Sequence, residues 1–569
     1  MRKTLLAALA VAVLLGASGI GLAQQELKPV VVVSISGYDE LMADIEFVGK
    51  LGDKPGLTKQ LELMLTMMTG GKGLAGLDKA KPWGALLQTD GQGFPVIGFV
   101  PVTDLKAFLG ALAGPLGEAK DAGDGVFEIS AGGMPLFVQE KGGWAFIAQT
   151  AEGLKSVPAD PAKLLAGLAD KYDVAVNVSV KNVPEQYRQM ATGLLQMGAE
   201  AGLEQEPGET DERYAARKRL TQQSLEQMIR AINDLDTVLV GLSIDRQTKT
   251  AFLELTITAV AGTETAKDLA QASDLTSDFA GFSLPDAAVV AQLAGKLSDS
   301  DVTQMKSTLS SVRANAVREL GNQGLPEEQE KKAKQLLEGF LDIVQETVES
   351  KRMDTGMVIR LAPDAATLVA GGYVADGAKL EKLVKDVAAV AKEEKPEIAE
   401  FIKLDAEKYE GISFHVVSVP LPGDQPGAQR LAKLVGDKLE LVIGIGPKGG
   451  YVAAGRDAVK TLKTVIDQCK ASAGKAVLPA RISVAAGPIA KFIAATADDD
   501  QAKKKAAEIA GLLDQVAGKD HVNITSKGIP NGATVRVELE EGILKILGLL
   551  SPGAMAGGPG PGPGFGPEF

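Results

Sequence analysis

The groups in this chain that could carry chemistry are two histidines, one cysteine and 73 acids. His415 lies in Phe414-His415-Val416-Val417 and His521 in His521-Val522-Asn523-Ile524, both strand-like, and neither adjoins a serine or carboxylate motif. A catalytic triad or a zinc centre draws on several such ligands held together, so this spacing predicts two ordinary strand residues. Cys469 ends the amphipathic helical run Leu462-Lys463-Thr464-Val465-Ile466-Asp467-Gln468-Cys469. With no histidine or basic cluster beside it to favour a thiolate, it reads as a small packing residue. Carboxylate-based hydrolysis needs no histidine, but the acids are scattered and the sequence nominates no pair. Asp121-Ala122-Gly123-Asp124-Gly125 and Asp299-Ser300-Asp301 have the composition of calcium ligands. They lack the full donor loop with its terminal glutamate, and read as a turn and a helix N-cap region.

Two glycine patterns invite a nucleotide. Gly444-Ile445-Gly446-Pro447-Lys448-Gly449 fits G-x-G-x-x-G after an apolar run. A dinucleotide site needs the third glycine to open a helix, whereas Gly449-Gly450 leads into the strand-like Tyr451-Val452-Ala453-Ala454. A hairpin turn is expected there, with glycine supplying positive φ. Gly71-Lys72-Gly73-Leu74-Ala75-Gly76 follows a helical run, Leu61 to Met68, and reads as a helix end and loop. No catalytic, cofactor-binding or metal-ligating residue is therefore nominated, and no cofactor is expected. Ligand-binding residues stay open. Asn177-Val178-Ser179 and Asn523-Ile524-Thr525 fit the glycosylation pattern, but within predicted strands.

The elements that would position any site are bounded by two distinctive ends. Residues 1–23 combine the basic head Met1-Arg2-Lys3, an apolar run through Leu15 and small residues closing on Ala23, the three parts of a cleavable secretory signal. The run is shorter than the ~20 residues a bilayer helix needs, so no transmembrane segment is expected after cleavage. Export places the protein in the periplasm or outside the cell, at the cell surface. Cleavage removes Arg2 and Lys3 and no acid, making the net charge of −13 two units more negative. The densest basic run, Lys503-Lys504-Lys505, follows Asp498-Asp499-Asp500 and reads as a solvated helix start. An acidic surface repels nucleic acid, which is excluded as a partner. At the other end, residues 551–569 alternate glycine and proline without collagen spacing, and predict a disordered tail.

Between these ends two periods mix. Val174 to Val180 and Val535 to Glu540 alternate as strands. Asn531-Gly532 and the stretch Asp245-Arg246-Gln247-Thr248 mark hairpins, hence antiparallel pairing. Leu225, Met228, Ile229 and Ile232 share one helical face, as do Leu336, Phe340, Ile343 and Val344 in a helix opened by Pro326. Met64, Met67 and Met68 have helical spacing too, and predict core packing over a ligand groove. The expected fold class is α+β: mainly antiparallel sheets packed with long amphipathic helices.

Four landmarks recur in order and suggest two related units, 24–275 and 276–550. Phe47 to Leu51 matches Leu293 to Leu297, and Phe99-Val100 with Leu105 and Leu109 matches Tyr373-Val374 with Leu380 and Leu383. Lys141-Gly142-Gly143-Trp144 matches Lys448-Gly449-Gly450-Tyr451, and Phe252 to Leu255 matches Arg536 to Leu539. Drifting offsets predict an added helix from Pro326 and a loop at Pro420 to Pro426 in the second unit, and an added helix from Thr210 to Asp234 in the first. Signal, duplicated layout, sparse histidine and Gly-Pro tail together resemble uncharacterised exported bacterial proteins grouped as a domain-of-unknown-function family. The resemblance covers most of the mature chain and implies no activity or site residues. The expectation is an exported, non-enzymatic binding or scaffold protein with a protein partner. The alternatives are a carrier of an apolar ligand held between sheet and helices, and a carboxylate-based hydrolase. Oligomeric state is not written in the sequence.

Overall fold

The computed structural model describes residues 27–550 other than Glu206, 422–425 and Ala517. The expected signal, the Gly-Pro tail and the centre of the expected loop at Pro420 to Pro426 thus lie outside the described residues. Helix makes up 44% and antiparallel sheet 32% of the described residues, an α+β composition. The strands are β1 (Lys28–Ile35), β2 (Trp83–Thr89), β3 (Val96–Pro101), β4 (Lys120–Gly123), β5 (Val126–Ala131), β6 (Met134–Lys141), β7 (Trp144–Ala148), β8 (Val174–Ser179), β9 (Leu235–Asp245) and β10 (Thr250–Ala259). After the short β11 (Leu275–Thr276) come β12 (Val289–Lys296), β13 (Arg352–Ala362), β14 (Ala365–Tyr373), β15 (Ile402–Tyr409), β16 (Ile412–Pro420), β17 (Lys438–Gly446) and β18 (Gly449–Gly455). Then follow β19 (Ala476–Val477), β20 (Ala480–Ala485), β21 (His521–Ile529) and β22 (Gly532–Leu539).

All but β11 and β19, which pair with each other, join one sheet. From one edge its order is β4-β5-β6-β7-β3-β2-β1-β8-β9-β10. It continues β22-β21-β20-β12-β13-β14-β18-β17-β16-β15. The two runs meet where Ala251–Thr258 lies antiparallel to Gly532–Leu539. Outward from that seam, both follow the same order of strands. Each also places a helical hairpin after its first strand, Tyr38–Leu51 with Leu57–Met68 in one and Asp299–Asn322 with Glu327–Glu349 in the other.

The turns follow from local chemistry. Pro530 and Asn531 form the two-residue link from β21 to β22, with Asn531 at positive φ. The Asp245 carboxylate accepts the Gln247 and Thr248 N–H groups at 2.8 and 3.0 Å and closes the link from β9 to β10. Helix Ala458–Ser472 buries Leu462, Val465, Ile466 and Cys469 on one face against Val358, Val369 and Ala453 of the sheet. Each such aliphatic side chain stabilises the fold by about 1.5–3 kcal/mol. Phe99, Phe146 and Leu165 centre a second core on the other side of the seam.

Three expectations change. Phe47 to Leu51 is helical, whereas Leu293 to Lys296 lies in β12, so that landmark joins unlike elements. A short apolar string with one glycine satisfies either period. The turn from β17 to β18 is Pro447-Lys448, and Gly449 and Gly450 already belong to the strand, unlike the positive-φ turn Gly142-Gly143. The helices Glu327–Glu349 and Asp211–Asp234 each have a shorter helix at the same place in the other run, Leu57–Met68 and Asp500–Asp514, so they lengthen shared elements instead of adding new ones.

Candidate functional site

The first candidate is an apolar surface. Helix Leu57–Met68 has no buried residue. Leu63 and Met67 leave 61% and 68% of their surface in solvent, and Met64 and Met68 are exposed beside them. This overturns the expectation that Met64, Met67 and Met68 pack in the core. The helix is the outer arm of its hairpin: it leans on helix Tyr38–Leu51, with Leu57 against Gly49, and is tied at its start by the Glu46 carboxylate. Glu46 accepts the Gly56 N–H at 3.1 Å and the Thr58 hydroxyl at 2.9 Å. Helix Glu185–Ala201 likewise buries nothing and exposes Met190, Leu194 and Met197 along one face. Tyr187 anchors its first turn, donating to the Gln92 carbonyl at 2.9 Å and meeting the Phe94 ring edge-on. Clustered exposed apolar side chains mark contact surfaces, and methionine adapts to varied partners.

The histidines do not converge. His415 in β16 is 1% exposed, and its Nδ1 accepts the Asp405 N–H at 3.1 Å. Burial lowers its pKa and keeps it neutral, although Asp405 and Glu381 pull the other way. Glu381, Asp405 and His415 offer donor atoms within 4.8 Å of one another, the spacing of a loose metal site. The Lys385 ammonium, however, sits 2.8 Å from Glu381 and 3.0 Å from Asp405. It supplies the cation to both carboxylates while the Nδ1 lone pair is already committed, so the group works as an ion-pair network. His521 begins β21, with β20, β12, β13, β14, β18 and β17 between it and β16. Its Nδ1 lies 3.0 Å from Glu540 and 3.4 Å from Asp520. Asp520 in turn caps helix Ala486–Thr496 by accepting the Gly487 N–H at 2.6 Å.

In each calcium-like stretch one aspartate is committed to the backbone, and Asp299 pairs with Lys351 at 2.6 Å. Asp121 accepts the Gly123 N–H at 2.8 Å, and Asp301 closes a reciprocal cap with Ser298 at the start of helix Asp299–Asn322. His521 opens on a cleft of about 580 Å³ lined by Arg360, Arg456, Lys491, Asp286 and Asp514. Arg360 pairs with Asp286, Lys491 with Asp514 at 2.6 Å, and Arg456 approaches Asp364 at 3.7 Å. Matched charges leave this cleft without an excess of positive potential for an anion, and they interrupt the apolar part of its lining, Leu361, Ala362, Ala485 and Leu513.

Two buried carboxylates, which sequence reasoning missed, carry the strongest electrostatics. Asp44 on helix Tyr38–Leu51 is 2% exposed. Burial, then the Asp173 and Glu40 charges, raise its pKa to about 7 against the opposing Arg246, whose Nε is 3.4 Å away. Asp173 is raised by burial as well, and accepts the Ile244 N–H at 2.6 Å. The acids face each other, but Asp44 is too enclosed to meet a substrate; the pair can hold a proton. Glu254 in β10, also buried, accepts Lys171 at 2.5 Å and the Tyr172 hydroxyl at 2.6 Å on Oε1. Its Oε2 accepts Arg536 Nε at 2.9 Å and Nη2 at 2.5 Å. Burial alone would raise this acid, but the four donors outweigh it and hold it at about 2. Cys469 is buried, and burial pushes its thiol up to about 12, consistent with packing. No protein-family profile, curated protein or solved structure matches this chain.

Proposed function

We propose that this is an exported, non-enzymatic binding or scaffold protein of the periplasm or cell surface, made of two related units, 24–275 and 276–550. The observation that carries the binding reading is the exposed Met190, Leu194 and Met197 face of helix Glu185–Ala201. The same strand order on both sides of the β10–β22 seam supports two related units. Among the described residues no helix is long and apolar enough to cross a membrane. The hydrolase alternative is weakened by the enclosure of Asp44, and the apolar-carrier alternative by the charged lining of the cleft at His521.

The partner is taken to be a protein, because a helical methionine face suits an adaptable protein contact. A photo-crosslinking side chain at Met190 in the full chain, expressed in the producing cell, tests this. A discrete adduct with a second protein is expected, lost when Leu194→Glu and Met197→Glu are added. Adducts that survive both charges, or none above background, would refute the reading. Export is checked separately by sequencing the N-terminus of protein recovered from outside the cytoplasm, where Gln24 is expected first.

A further inference from the structure

The start of helix Leu57–Met68 lies close to where the described chain ends. Helix Glu541–Leu550 packs against helix Tyr38–Leu51, and the two backbones nearly touch at glycines. A Cβ placed on Gly548 would sit 2.7 Å from the Gly52 Cα. The Lys54 ammonium donates to the Gly548 carbonyl at 3.0 Å. Gly52 and Lys54 flank the turn into helix Leu57–Met68, so the chain reaches Leu550 beside the start of that helix. Its face carries Leu63, Met64, Met67 and Met68, all exposed. Residues 551–569 hold Met555, Phe565 and Phe569, one acid and no basic residue.

We propose that residues 551–569 lie over the Leu63, Met64, Met67 and Met68 face, with Phe565 and Phe569 as the anchoring side chains. Reach permits it. A glycine-rich chain of the length from Leu550 to Phe565 would span roughly 21 Å as a random coil, and roughly 46 Å extended as polyproline. The helix it must cover is about 18 Å long. Proline restricts the free segment and so reduces the entropy lost on docking. Attachment to Leu550 places the phenylalanines at millimolar effective concentration over the face, which compensates for a contact too small to hold a free peptide. Aromatic rings and methionine sulfur attract each other, and the near absence of charge in the segment avoids burying an ion. The inference stands independently of an external partner on helix Glu185–Ala201.

The test uses the full chain labelled with ¹³C at the methionine ε-methyl groups. Two variants are compared with it, one lacking residues 551–569 and one carrying Phe565→Ser with Phe569→Ser. The Met64, Met67 and Met68 signals, assigned by single Met→Leu changes, are expected to shift in both variants toward exposed-methionine positions. The Met190 and Met197 signals should stay in place, showing that the fold is intact. Unchanged signals of Met64, Met67 and Met68 in both variants would overturn the proposal. So would signals that move only with protein concentration, which would assign the face to a second copy. Signals that move only on adding phosphatidylglycerol vesicles would overturn it equally, by assigning the face to a membrane.

Discussion

Asp44 holds a proton near neutrality because ionising it would bury a second negative charge beside Asp173. The folded pKa is raised to about 7 from an ordinary value of 3.8, so its stabilising contribution is fully present below about pH 4. That contribution is lost as the pH rises through 7. Asp44→Asn keeps the neutral shape, and its advantage over the wild type in thermal melts should therefore be larger at pH 8 than at pH 5. An equal difference at both values would show that the acid pair holds no proton there. Glu254 behaves in the opposite sense. Its pKa is lowered to about 2, so its contribution is present above about 4.5 and lost as the pH falls through 2. Glu254→Gln should cost about 2–4 kcal/mol at pH 7, less than a fully enclosed pair because Lys171 and Arg536 are partly exposed. Denaturant titrations should show that gap closing between pH 4 and pH 2. Neither acid was legible in the sequence: Asp44 and Asp173, like Glu254 and Lys171, are brought together only by the fold. The reading of Cys469 as a packing residue, by contrast, needed only its place on an amphipathic helix.

Strands and hairpins were the most legible elements, since valine alternation and Asn531-Gly532 encode them locally. Burial of helices was less so. Periodicity tells which face of Leu57–Met68 is apolar, but only the tertiary arrangement decides whether a sheet covers it. The contrast with Ala458–Ser472 is measurable. Leu462→Ala should cost about 2–5 kcal/mol in urea unfolding, because Leu462 is wholly buried. Met67→Gln should change stability by no more than about 0.5 kcal/mol, because the side chain is exposed. Equal losses would place Met67 in the core after all. The same limit explains Phe340 and Met228, which the helical pattern put on packing faces and which stand half in solvent.

Across the whole molecule, the α+β class followed from the mixture of periods, but a single sheet passing through the seam did not, because nothing local in Phe252 to Leu255 or Arg536 to Leu539 names its partner. The outer edges of that sheet are β4, four exposed residues, and β15, which carries Lys403, Asp405, Glu407 and Lys408 and an irregular register. Short and charged margins discourage further strands from adding. At the seam Glu254 stands directly opposite Arg536. A strand that placed an acid opposite Glu254, or a guanidinium opposite Arg536, would set like charges together. Glu254→Arg should promote association in light scattering, and adding Arg536→Glu should reverse this only in part, because Lys171, which pairs with Glu254, would then face a guanidinium. The complementary pair thus steers β10 and β22 toward each other and away from a neighbour's strands, which protects a long β interface from mispairing at high protein concentration.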